Sequence, residues 1–404
     1  MKIGSYFAVI VVVLVTVSIL VPAVSSANPA GYFGTNSLLP PPAYNGNLTI
    51  EPNGTIVGTG SGQIPITNIG NNYYTLNENV NGTITILQNG ATFNGMDQNV
   101  SYNLNANSGV FTIANSTDVS LSNLSVSTDY SSSFGLSVSN SSHISVDNLQ
   151  ITNTSIAARV TGNDHYVNIS NSRIYNTSSF SMILGLNYVF PIPIPDTTSS
   201  YLVAYNDTFY TPSSLLFGGV FIGAKDSEVS NSNFTLPYSE INIGSVANNT
   251  TISGNVFYLG NSFNAISVGT APGTSSTYNQ KITNNRILGT DGSGSAGVAI
   301  LLQNATGMVS GNSIQINAEH NSYNGIMSQK GILSIENNVI NITNGANFTT
   351  EPNFGIEFNG TGNQISSNWI DVSGGYTNGI GSEPGELAPF VMLMTLFSME
   401  RMPF

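Results

Sequence analysis

No cysteine occurs in the 404 residues, so no disulfide can brace the chain and no thiolate can hold a metal or act as a nucleophile. Cations are scarce as well: eight Lys and Arg stand against 21 Asp and Glu, a formal net charge of −13. Nucleic acid demands basic surface, so a nucleic-acid partner is excluded. Only 7% of residues are charged. Such a surface changes little on acidification, which predicts a chain suited to acidic surroundings. Unfolding followed from roughly pH 2 to pH 7 tests this, and a sharp loss of structure near pH 4 counts against it. The three histidines, His143, His165 and His320, show no ligand spacing with Met or with each other, so no metal and no cofactor is expected. Helical periodicity is missing too: after the first 27 residues no apolar stripe at i, i+3, i+4, i+7 survives.

What the chain has instead is a repeat. The pattern apolar–x–Asn/Ser/Gly–x–x–apolar reads Leu121-Ser-Asn123-Leu-Ser-Val126, Val146-Asp-Asn148-Leu-Gln-Ile151 and Ile169-Ser-Asn171-Ser-Arg-Ile174. It returns at Ala204, Val229, Ile252, Ile282, Val309, Ile335 and Ile365, at spacings of 25, 23, 35, 25, 23, 30, 27, 26 and 30 residues by subtraction. Upstream in each unit lies a small–apolar–x–apolar run, such as Gly109-Val-Phe-Thr-Ile113 or Gly297-Val-Ala-Ile300. Both runs alternate with period two, which is strand geometry, and Asn, Ser, Thr and Gly separate them as turns require. Short strands returning every few tens of residues without helices predict an all-β fold, a right-handed parallel β-helix of about ten or more coils. Leu121, Val146 and Ile169 would then line one interior column. The competing arrangement is an antiparallel sandwich, which does not repeat its turn residues at a fixed period. In the first five units the Asn stands two places after the leading apolar residue. In the last five an Asn (Asn255, Asn285, Asn312, Asn338, Asn368) stands three places after it. This reads as a shift in which turn residue takes the strained conformation.

The ends differ from the repeats. Lys2, the apolar stretch Phe7 to Val24 and the small residues Ala23-Val-Ser-Ser-Ala27 read as a signal peptide or membrane anchor helix over 1–27, with attachment through residues 7–24 if it is retained. Residues 28–70 read as a Gly/Pro-rich leader, 71–113 as opening coils or cap, 114–380 as the β-helix repeats and 381–404 as an atypical apolar, Met-rich tail. With an export signal, the Asn-x-Ser/Thr sequons predict glycosylation, with Asn47, Asn99, Asn140, Asn248, Asn304 and Asn347 as candidates.

The stretch Asn72-Tyr-Tyr-Thr-Leu76, Val80-Asn-Gly-Thr-Ile-Thr-Ile86 and Phe93-Asn-Gly95, followed by the repeats, resembles the NosD-like family over roughly residues 70 to 380. These are right-handed parallel β-helix surface and periplasmic proteins, related broadly to pectin-lyase-like, carbohydrate-active β-helices. The family usually has Asp-Gly where this chain has Asn94-Gly95. Its copper association does not carry over, because the ligands for it are missing. The resemblance is specific for fold and weak for function.

Three residues before the leading apolar position stand Asp118, His143, Tyr166, Tyr201 and Asp226, with Asp164 and His165 close by and Lys225 and Glu228 flanking Asp226. Acids, histidines and a cation gather on this column, making Asp118, His143, Asp164, His165, Asp226 and Glu228 the catalytic candidates. Asp118 and Asp226 are four coils apart, about 19 Å at 4.8 Å per coil, which is too far for one reaction centre. The motifs of polygalacturonases and epimerases are absent. Tyr166, Tyr201, Tyr188 and Phe190, the last two on a Pro-rich excursion at 187–195, are candidate sugar contacts. The expectation is a secreted or cell-surface, non-catalytic protein whose partners are extracellular polysaccharide or cell-envelope components. The alternative is a polysaccharide lyase or glycoside hydrolase.

Overall fold

The computed structural model describes residues 44–382, apart from short stretches at 103–108, 129–133, 190–191, 196, 212–217, 237–240, 245, 261–263, 270–275, 291–296, 319–321, 346–352, 360–361 and 375–376, together with two strands at 391–393 and 396–398. These residues belong to one compact unit, Pro41–Phe404. Among them every regular element is a strand. The strands form a 26-stranded sheet, a 14-stranded sheet and one small hairpin, and the two large sheets wind as a right-handed parallel β-helix.

The interior column follows the repeat. Leu121 pairs with Val146, Val146 with Ile169 and Ile169 with Ala204, and the register continues rung by rung to Ile365. In the second sheet the Gly-led runs stack likewise, from Phe111 over Leu136 and Ala158 to Ile356. These side chains are almost wholly buried. Each contributes about 1.5–3 kcal/mol if its area is counted at hydrocarbon-transfer values. Phe209, Phe234 and Phe257 occupy successive rungs with centroids 4.6 and 4.8 Å apart and planes within 13° of parallel, so the coil spacing itself stacks the rings.

Each coil bends inside the first sheet, and one residue takes the left-handed conformation at every bend. The column runs Asn123, Asn148, Asn171, Asn206, Asn231, Gly254, Asn284, Gly311, Asn337 and Ser367, all with φ between 52° and 66°. Asn tolerates this region and donates from its amide to the preceding rung, as Asn148 does to Asn123 (2.8 Å) and Asn206 to Asn171 (2.7 Å). Where glycine replaces it, a Cβ would stand 2.6 Å from Asn231 Oδ1 at Gly254 and 2.5 Å from Asn284 Oδ1 at Gly311. The neighbouring Asn fills the space that glycine leaves.

The apparent shift of Asn in the last five units is therefore not a change of strained residue. The left-handed position stays fixed. Asn255, Asn285, Asn312, Asn338 and Asn368 are a second set, one residue later, turned inward and no more than 1% exposed.

Residues 44–70, expected as part of a leader, are stranded from Tyr44 onward. Tyr44–Asn45 and Leu48–Ile50 pair in parallel with Val80–Asn81 and Ile84–Ile86, and Ile66–Gly70 pairs antiparallel with Tyr73–Leu76. In the tail, Val391–Leu393 and Leu396–Ser398 continue the stack on Gln364–Ser366 and Trp369–Gly374. The excursion after the strand Phe180–Leu184 begins as a hairpin of Leu186–Val189 with Ile192–Pro195. The expected signal or anchor helix, with residues 7–24, lies outside the described residues.

Candidate functional site

The column anticipated from the sequence exists. Asp118, His143, Tyr166, Tyr201 and Asp226 occupy one left-handed position on successive coils, with φ between 55° and 57°, and Asn249 and Asn279 extend it. An L residue there costs about 1–2 kcal/mol, which Asn and Asp bear more easily than Tyr. The aromatic members recover this by stacking. His143 lies 4.9 Å from Tyr166 at 18°, and Tyr166 lies 4.8 Å from Tyr201 at 6°. Such pairs contribute about 0.5–1.5 kcal/mol beyond area burial. Tyr166 and Tyr201 remain about half exposed, but their faces cover one another, leaving edges and hydroxyls to solvent.

The acids of the column do not converge on one point. Asp118 and Asp226 stand at opposite ends of the aromatic stack. Asp226 accepts from Asn249 Nδ2 at 2.8 Å and so serves the turn ladder. Glu228, two residues on, accepts from the Ser230 hydroxyl at 2.5 Å. His165 is held at both nitrogens, Nδ1 by Ser200 Oγ (2.8 Å) and Nε2 by Asn163 Oδ1 (3.1 Å). Asp164 is fully buried, and its Oδ1 accepts the Ser141 N–H at 2.7 Å. That carboxyl ties its coil to the preceding one inside the wall. Tyr188 lies in the hairpin strand Leu186–Val189. Phe190, His320 and Asn347 lie outside the described residues. Among the described residues no group of three or more His, Asp or Glu could hold a metal ion.

Among the sequon candidates, Asn47 and Asn140 are exposed, while Asn99, Asn248 and Asn304 are half-buried. The Oδ1 atoms of Asn47, Asn99, Asn140 and Asn248 accept hydrogen bonds from Thr83, Ser127, Asn163 and Tyr278 respectively.

Two surfaces carry residues that the sequence reading did not single out. The first is the outer face of the first sheet beyond the bend. Thr152, Tyr175 and Tyr210 follow one another there, the two rings packed edge to face at 6.3 Å. Tyr205, Tyr258 and Trp369 are also exposed on this sheet, each near 40%. Their neighbours are mostly Ser, Thr, Asn and Gln. The second is the outer side of the second sheet, where Phe134, Ile156, Phe180, Ile183 and Leu186 form a separate apolar cluster. Arg159 sits on it with its guanidinium 4.0 Å above the Phe134 ring, and burial pulls its pKa below the usual guanidinium range. Alternation in the Gly-led runs pointed to these outward positions, but nothing in the pattern distinguished a covered outer side from a wet one.

No known family's sequence model matches the chain. No curated protein matches it. Among solved structures it is similar to a double mutant of the periplasmic alginate epimerase AlgG (TM-score 0.43, 10% identity, 82% of this chain and 80% of that one). It is also similar to PfbA, a surface adhesin of Streptococcus pneumoniae (0.41, 14%, 78% and 83%). A third is a mutant tailspike of E. coli bacteriophage HK620 in complex with pentasaccharide (0.42, 14%, 76% and 67%).

Proposed function

We propose that this is an exported, cell-surface β-helix of the NosD-like kind that binds extracellular or envelope glycans without turning them over. The observation that carries the reading is the outer face of the first sheet. There, half-buried Tyr175 and Tyr210 and exposed Tyr258 and Trp369 recur among hydroxyl and amide side chains with few charges. Aromatic rings present apolar faces and edges to sugar C–H groups, while Ser, Thr and Asn supply hydrogen bonds that fix orientation. A repeat of about 4.8 Å between rungs suits a long, regular ligand gripped by many weak contacts. The edge-exposed Tyr166 and Tyr201 would add hydroxyl contacts on the neighbouring turn. The apolar start of the chain and its sequons support export.

The absence of turnover is supported by the state of the acids. Asp164 is buried, and Asp226 and Glu228 are each engaged by a turn side chain. A glycosidase needs two carboxyls about 5–9.5 Å apart, free to exchange protons with substrate.

The test is a glycan array with neutral glycans and polyuronates, followed by calorimetry and by assays for new reducing ends or unsaturated products. Binding that is lost in Tyr175→Ala/Tyr210→Ala, with an unchanged circular dichroism spectrum, supports the reading. Turnover abolished by Asp226→Ala or Glu228→Ala replaces it with a lyase or hydrolase.

A further inference from the structure

One buried acid takes no part in the surface just described. The inward position after each bend forms a continuous polar spine: Ser172, Asp207, Ser232, Asn255, Asn285, Asn312, Asn338 and Asn368. In its Asn part each rung works alike. The backbone N–H and the side-chain Nδ2 donate to Oδ1 of the next Asn, and Nδ2 also donates to a main-chain carbonyl of the preceding coil: Val229 from Asn255, Ile252 from Asn285, Ile282 from Asn312. At Asp207 the amide is replaced by a carboxyl with no solvent exposure. Its Oδ1 plays the Asn part, accepting the Ser172 N–H at 2.7 Å, and its own N–H donates to Ser232 Oγ at 3.0 Å. Its Oδ2 is buried and has no hydrogen-bond partner. An Asn at this rung would put its donating Nδ2 in that place, and the equivalent carbonyl of the preceding coil is that of Ile169.

We propose that Asp207 is an uncharged carboxylic acid standing in for asparagine, its O–H donating to the preceding coil, so that the stack is tightest in acidic medium and loosens as pH rises. Among the described residues no cation faces the carboxyl to hold it ionised. Asp147, on the strand Ser142–Thr152, opposes a second negative charge. Of the other ionisable groups on adjoining strands, Arg173 is exposed on the outer side, Glu228 is engaged by Ser230, and His165 is held by Ser200 and Asn163. Burial, followed by weaker opposing N–H contacts from Ser172 and Tyr205, pushes the carboxyl well above the ordinary range. The sign follows from linkage. With the folded pKa raised, the stabilisation is complete below the unfolded value of about 3.9, is lost progressively as pH rises from there, and is gone once pH has passed the folded value.

The experiment is equilibrium unfolding of the full chain across the pH range, for the wild type and for Asp207→Asn. In the wild type the unfolding constant should rise up to tenfold per pH unit between the unfolded value of about 3.9 and the raised folded value, where unfolding releases one proton, and should level off above it. Asp207→Asn should lose that slope and match the acid-form stability of the wild type at all pH values. Infrared difference spectra of the two folded proteins at neutral pH give a second readout, a protonated carboxyl band present only in the wild type. Parallel pH profiles together with no such band overturn the proposal.

Discussion

Asn312 sits mid-spine, and its replacement by alanine isolates what the inward ladder contributes. Its Oδ1 accepts both the N–H and the Nδ2 of Asn285 at 3.0 Å, and its Nδ2 donates to the Ile282 carbonyl and to Asn338 Oδ1 at 2.9 Å. Alanine would strand the Asn285 N–H and take the side-chain donor from the Ile282 carbonyl in a site that is 1% exposed, while Asn285 Nδ2 would keep the Ile252 carbonyl. Asn338 Oδ1 would keep the backbone N–H of residue 312. Each orphaned buried group costs about 1–3 kcal/mol, so two predict a loss of ~2–6 kcal/mol, moderated by any water that enters the cavity. Serine should cost roughly half as much, about 1–3 kcal/mol, because one hydroxyl can still accept the neighbour's N–H, as Ser232 Oγ does for Asp207. The sole tryptophan, Trp369, follows the last Asn of the spine and reports unfolding by fluorescence. Because stacked coils can open piecemeal, hydrogen exchange at the Asn285 amide should be read alongside it. If Asn312→Ala unfolds within 1 kcal/mol of the wild type and leaves Asn285 protected, hydrogen bonding along the spine is not what holds these coils.

Three further outcomes follow. Tyr166→Asn and Tyr166→Val both abolish the ring stack but differ in tolerance of a left-handed backbone, so the Val variant should be less stable by about 1–2 kcal/mol in the same denaturation assay, and equal stabilities would contradict this account. Produced in a glycosylating host, the folded chain should carry glycan at Asn47 and Asn140 in preference to Asn206, whose Nδ2 is committed to Asn171 at 2.7 Å; peptide mass spectrometry decides, and full occupancy at Asn206 would refute the ladder there. Asn312→Asp should import the behaviour of Asp207, near wild-type stability in acid and a loss that grows with pH, measured by the same titration.

Much of this architecture could be read from the chain. The interior column of Leu121, Val146 and Ile169 was legible because one apolar position recurs with a turn residue at a fixed offset. The alignment of Asp118 through Asp226 in one column was legible for the same reason, but its left-handed backbone was not. Asn255 and its successors were not, since an Asn beside a bend looks the same in sequence whether it takes the strained backbone or turns inward. Only the register, which sets Gly254 and not Asn255 in line with Asn231, separates the two. Asp164 was misplaced in the same way: its neighbours His165 and Tyr166 reach the outside, while the carboxyl itself turns into the wall. Arg159 went unnoticed because alternation marks a residue as outward without saying that Phe134 and Phe180 lie beside it.

The fixed place of the bend residue limits how such a chain can grow. An insertion of one residue between Leu121 and Val126 would carry every later side chain of that strand to the opposite side and break its rung against both neighbours. The interval from Ile169 to Ala204, ten residues longer than the next by subtraction, shows where length is absorbed instead, in the hairpin that leaves the coil after Leu184. Evolution is thus free to lengthen this protein by whole windings or by side excursions, and kinship among such chains is better sought in the alignment of their bends than in residue-by-residue identity.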